Sequence, residues 1–330
     1  MQTFTDTLAS IHLGRPRRHQ GLVVFPLFGP PADAEGSPAY RLLDEALTAG
    51  EVEIDEVSEG GVVPELRLLN RGKTPVLLLD GEELVGAKQN RVLNLTILAP
   101  PGETRLPVSC VEAGRWHHDT QGFRAAGRTQ FAEARAAKVA QVCESRRAAG
   151  GMRADQGEVW SQIADKSARM GVHSRTQAMA DLFDDYQDRL EDYVEALGAE
   201  PGQTGALFAL GSRITGLDLF DHPDTLARSL PKLVRSHALD AIEQQQRGGP
   251  EDKGFPDAWG FLERLAQCEA AAFPSPGLGQ DLRLEGEGVR GAALSWQGRL
   301  VHLVAFAYGV GRGGRGAGRR HGYHARRIIR

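Results

Sequence analysis

The chain has 330 residues, 41% of them hydrophobic and 25% charged, which is enough apolar material for the core of an ordinary globular protein. Its net charge of −4 conceals an asymmetry, because residues 311–330 hold seven arginines and no acid. The acidic remainder argues against a nucleic-acid binder, and three widely spaced cysteines (Cys110, Cys143, Cys268) argue against a disulfide framework or structural zinc.

The start, "MQTFTDTLASIHLGRPRRHQ", lacks the basic-then-apolar order of a secretory leader. No apolar run reaches the roughly 18 residues of a membrane helix, so a cytoplasmic location and no membrane partner are expected. "GLVVFPLF" (21–28) reads as a buried strand, and "YRLLDEALTAG" as a short helix closed by Gly50. "EVEIDEV" and "PELRLL" read as further strands. In "TPVLLLDGEELVG", Asp80-Gly81 predicts a two-residue hairpin. A second hairpin is predicted around Pro100-Pro101-Gly102.

From about Arg128 the period becomes helical. In "SRTQAMADLFDDYQDRLEDYVEALG", apolar residues at Met179, Leu182, Phe183, Tyr186, Leu190, Tyr193, Val194 and Leu197 predict one helix. Ser174 with Gln177 would form its capping box, and Gly198 would end it. Farther on, "ALFALGSRITGLDLF" reads as a hairpin. "DTLARSLPKLVRSHALDAIEQQ" reads as a helix bent at Pro231, capped by Asp221 or Asp224. "AWGFLERLAQCEAAA" predicts another helix, and two or three strands complete the chain.

The predicted fold class is α+β, with a mostly antiparallel or mixed sheet and a helical segment in mid-chain. One domain is expected over 10–308: strand-rich at 20–116, helical at 128–200, mixed at 204–308. The Gly/Arg-rich tail 309–330 is expected to be disordered, touching nucleic acid only weakly and in a salt-sensitive way.

Several chemistries are excluded by motif. "GVGRGG" (309–314) follows a strand, but too few residues remain for a dinucleotide-binding unit. Phosphate-binding P-loop, zincin and nucleophile-elbow motifs are absent from the sequence. His117, His118 and Asp119 cannot all reach one ion from an extended strand, so no metal and no cofactor are expected. Cys110 alternates with Leu106 and Val108, which marks a buried, inert thiol.

The polar stretch inside "LLLDGEELVGAKQNRVLN" (77–94) is the candidate site. Pairing 93–98 with 105–111 sets Leu93 against Cys110, Leu95 against Val108, and Arg91 against Glu112. Lys88, Gln89, Asn90, Arg91, Arg115 and Trp116 would then ring a mouth suited to a small anionic ligand, with Trp116 as a stacking plate. The competing reading is a structural clasp closing a sheet end. Should that hold, Asp218–Asp224 is the next place to look.

The segment 77–116 resembles the ARG and rhodanese-phosphatase-superfamily-associated protein domain, ARG meaning ADP-ribosylglycohydrolase. The likeness is densest at Gly81-Glu82-Glu83, Gly86–Arg91, Asn94 and "PVSCVEAGRW", with a looser echo at Gly211–Asp221. The resemblance implies an association with ADP-ribose or phosphate-ester metabolism, and no agreed reaction. The expected function is therefore binding of a nucleotide-like or ADP-ribose-like anion. The alternatives are a hydrolase using Glu82, Glu83 or Glu112 as general base, and a protein-interaction scaffold docking through the acidic 175–197 segment.

Overall fold

A computed structural model describes residues 2–29, 36–57, 64–115, 120, 122–248 and 254–309. Of the tail expected to be disordered at 309–330, all but the first residue lies outside the described residues, as do Trp116 and the His117–His118–Asp119 group. The fold is α+β, as expected, with sheets that are antiparallel apart from one parallel pair.

"GLVVFPLF" shows why the largest sheet is central. Successive side chains of a strand point to opposite faces, and this strand is buried on both. Leu22 and Val24 join one apolar cluster, while Val23, Phe25 and Leu27 join another. The first cluster contains the long helix Pro223–Gln246. The second is completed by Phe4 and by the helix Ala258–Ala266. Leu22–Phe28 lies beside Gly205–Leu210, which pairs with Arg213–Phe220 as the expected hairpin. Arg299–Ala307, Val289–Trp296, Gln280–Gly286 and Glu269–Pro274 follow in that order across the sheet. The last of these was expected to continue a helix, but Ala258–Ala266 stops sooner and Glu269–Pro274 is an edge strand.

A six-stranded sheet runs Phe123–Thr129, Glu82–Gly86, Arg91–Leu93, Gly102–Cys110, Glu65–Asn70, Val52–Glu56. It packs on a small sheet of Ile97–Ala99, Val76–Leu78 and Arg41–Leu42 through Leu66, Leu68, Leu78, Leu84, Ile97 and Leu106. Pro223–Gln246 touches strands of both larger sheets and Ala132–Ala149 packs on the nine-stranded one, so helices fill the space between them.

The hairpin expected at Asp80-Gly81 is a crossover between sheets instead. Val76–Leu78 does not pair with Glu82–Gly86, because Leu79–Glu82 is a turn with positive φ at Gly81 (80°) and not at Asp80. That pattern is type II, which splays flanking strands where a type I′ turn would keep them paired. The second hairpin holds in part: Arg91–Leu93 pairs with the end of Gly102–Cys110, while Ile97–Ala99 pairs with Val76–Leu78. The expected 175–197 helix is two, Met179–Asp185 and Gln187–Ala196, broken at Tyr186. Gln177 has φ 54°, and Ser174 accepts from the amide of Ala178 at 2.8 Å, so a local turn replaces the capping box. Pro223–Gln246 runs through Pro231, and its cap is His222, whose Nδ1 accepts from Asp224 N at 3.1 Å. Asp221 instead accepts a 2.5 Å hydrogen bond from the Tyr40 hydroxyl.

Candidate functional site

The polar stretch forms a tight hairpin of its own. Glu83 faces Val92 and Leu84 faces Arg91, with Ala87–Asn90 across the tip. A Cβ at Gly86 would lie 2.4 Å from the carbonyl oxygen of Gly122, so only glycine fits there. The hairpin folds back against 110–115, and Arg115 stitches the two together. Its guanidinium pairs with Glu112 at 2.7 Å and donates to Ala87 O at 2.8 Å and to Asn90 Oδ1 at 3.0 Å. Gln89 donates to Glu112 O at 2.8 Å. Burial pulls the Glu112 carboxyl upward, yet hydrogen bonds from Arg115, Thr176 and the Asn90 amide hold it below its ordinary range.

Arg91 does not meet Glu112. The strands pair as Val108–Leu93, Ser109–Val92 and Cys110–Arg91, two residues away from the expected register. A shift of two keeps every side chain on its expected face and changes every partner. Arg91 therefore lies over Cys110, with Nη1 3.2 Å from Sγ and 3.1 Å from Gln89 O, and Glu56 offers it a carboxylate at 3.7 Å. Burial pushes the Cys110 thiol up, against the pull of Arg91.

Glu82 and Glu83 point to opposite sides, as strand neighbours must. Glu83 meets Arg128 at 2.5 Å, and Arg128 also holds Asp184 at 2.6 Å. Glu82 meets Lys232 at 2.6 Å, which bridges to Asp44 at 2.6 Å. Burial raises both glutamates, and their cations oppose it. Glu82, Glu83, Gln89, Asn90, Arg91, Glu112 and Arg115 are all buried, and Lys88 is half-buried at the hairpin tip. The structure thus gathers the candidate residues, but packs most of them into internal pairs.

A second cluster joins the sheets. Arg135 donates to Asp80 at 2.8 and 3.0 Å and to Asp218 at 2.7 and 3.0 Å. His302 sits 3.1 Å from Asp218 and 2.8 Å from the Thr96 hydroxyl. The ligand atoms of Asp80, Asp218 and His302 lie within 4.8 Å of one another. The cation between these carboxylates is the guanidinium itself, so the charge a metal would supply is already present.

A concave site of about 410 Å³ lies elsewhere, between the N-terminal segment and the start of Ala258–Ala266. Arg15, Pro16, Phe25, Phe255, Asp257 and Trp259 line it. Phe255 is 77% exposed and Trp259 57%, while the Arg18 guanidinium sits 4.9 Å from the Phe255 ring centre. Asp257 caps the helix by accepting from Gly260 N at 2.9 Å. Another depression, of about 490 Å³, carries Glu144, Asp155 and Glu158 against Arg153.

A family model for the ARG and rhodanese-phosphatase-superfamily-associated protein domain matches residues 10–306. The chain belongs to that family. Comparison with curated proteins and with solved structures yields no match. The match takes in the hairpin, the Arg135 cluster and the aromatic groove, so all three lie within the ARG and rhodanese-phosphatase-superfamily-associated domain.

No local motif marks the groove, because Arg15 and Phe255 are far apart along the chain. One signal was available. Ala258, Phe261, Leu262 and Leu265 form the buried stripe of their helix, and Trp259 falls off it. A tryptophan placed off the buried face invites a reason for its exposure.

Proposed function

We propose that this chain binds an anionic, nucleotide-like or ADP-ribose-like small molecule in the groove between Arg15 and Trp259. The observation that carries this reading is two exposed aromatic rings and the exposed Arg15 at one concave site, with the exposed Arg18 over the Phe255 ring. Aromatic faces stack on planar bases, and guanidinium forks hold phosphate oxygens. A volume of about 410 Å³ falls within the range of small-molecule sites. The acidic depression would repel the same anion.

In this reading Lys88, Gln89, Asn90, Arg91 and Arg115 serve the scaffold. The hydrolase alternative loses ground because Glu82, Glu83 and Glu112 are buried against cations and line neither of the two concave sites described. Membership of a family named for its association with ADP-ribosylglycohydrolase and rhodanese-phosphatase proteins supports a ligand from that chemistry.

Thermal-shift measurements with ADP-ribose, AMP, NAD and a sugar phosphate test the proposal. Stabilisation by one class should vanish in Trp259→Ala and Arg15→Ala and persist in Lys88→Ala. The reverse pattern would return the site to the hairpin tip, and turnover of the stabilising compound would revive the hydrolase.

A further inference from the structure

The groove draws its charges from two segments. Its cation, Arg15, comes from the N-terminal segment, as does Arg18 over the Phe255 ring, while its carboxylate, Asp257, stands with Trp259 at the helix start. Resting on the binding reading above, we infer that the groove takes its ligand in one direction. An amino-bearing planar base lies against Trp259 and Asp257, and the phosphate lies toward Arg15 and Arg18.

Asp257 is a held acceptor. Oδ1 takes the Gly260 amide at 2.9 Å, and Oδ2 stands 4.0 Å from the Arg264 guanidinium, with the side chain 73% exposed. A carboxylate offers more lone pairs than these two contacts use, and no donor. A base edge bearing an NH₂ group can therefore donate to it, whereas a carbonyl at the same place meets negative charge. The same carboxylate puts a negative charge at the helix start and takes its Gly260 amide, so phosphate is not drawn to that end. Phe255 carries Arg18 over its ring at 4.9 Å, which leaves Trp259 as the plate beside Asp257 and groups the aromatic–cation pair with the phosphate end.

The test compares adenosine 5′-monophosphate with purine riboside 5′-monophosphate by calorimetric titration of the full chain. These ligands differ in the purine ring by the amino group alone. The wild type should prefer the adenosine ligand by about tenfold, in line with the discrimination of a single polar contact. Asp257→Asn can accept or donate and still cap the helix, so the preference should collapse toward one with the fold intact by circular dichroism. Equal binding of the two ligands by the wild type would overturn the orientation and leave the groove standing. An unchanged preference in Asp257→Asn would do the same. Failure of both ligands, and of ADP-ribose, to bind would overturn the binding reading and this inference together.

Discussion

Arg135 and Asp218 are both fully buried and meet at 2.7 Å, joining the helix Ala132–Ala149 to the central strand Arg213–Phe220. Asp80, from the turn between the two smaller sheets, takes the other side of the same guanidinium. One side chain thereby ties three parts of the fold together. Arg135→Met should cost about 3–5 kcal/mol in urea unfolding, because two buried carboxylates lose the guanidinium that both of them share. Adding Asp80→Asn and Asp218→Asn should recover part of that loss.

The same pair sets a pH dependence. Burial alone would raise the Asp80 and Asp218 carboxyls, but Arg135 holds both below the usual range. A depressed carboxyl stabilises the fold above its unfolded value of about 4 and loses that contribution as pH falls through the folded value. The stability gap between wild type and Arg135→Met should therefore narrow as pH falls from 6 toward 3. A gap that stays constant would exclude Arg135 as the cause.

Lys138 lies one turn along from Arg135 and donates to Leu93 O at 2.5 Å. Burial, reinforced by Arg135 and Arg283, pushes its ammonium down from 10.5 to about 7, with Asp80 opposing. Between those values the unfolded chain binds more protons, so stability from this group rises with pH across the window. Lys138→Met should lose that rise relative to wild type when melting is followed from pH 7 to 10.

Within the hairpin cluster, a double-mutant cycle separates true partners from expected ones. Arg115→Met with Glu112→Gln should couple by about 0.5–3 kcal/mol, as contacting charges do. Arg91→Met with Glu112→Gln should couple more weakly, since Arg91 lies on Cys110 and Gln89 instead. Cys110, with its thiol pushed up by burial, should resist alkylation in the native protein and react once unfolded.

Much of the fold was legible in the chain, and the failures share a cause. Local patterns identified "GLVVFPLF" as a buried strand, the Gly205–Phe220 hairpin, and the polar singularity at 82–91. What they missed was which strand each segment joins. Asp80-Gly81 carries a hairpin sequence, yet the turn type depends on the backbone of Asp80, and that is fixed by Arg135 and Thr96 from distant segments. The hairpin's partners are equally remote, because Glu83 is answered by Arg128 and Glu82 by Lys232. A polar run read alone looks like an open mouth. Only the folded chain shows it closed by arginines and a lysine from other elements.

The most direct test is a fluorescence titration of Trp259. In a chain with Trp116, Trp160 and Trp296 replaced by phenylalanine, Trp259 is the remaining tryptophan reporter, and ADP-ribose or adenosine 5′-monophosphate is added stepwise. Binding in the groove predicts saturable quenching, since a stacked base covers the exposed indole, and Arg15→Ala should weaken it with reduced salt sensitivity. Unchanged Trp259 emission, in a protein that calorimetry shows to bind the same ligand, would place the ligand elsewhere and contradict the groove.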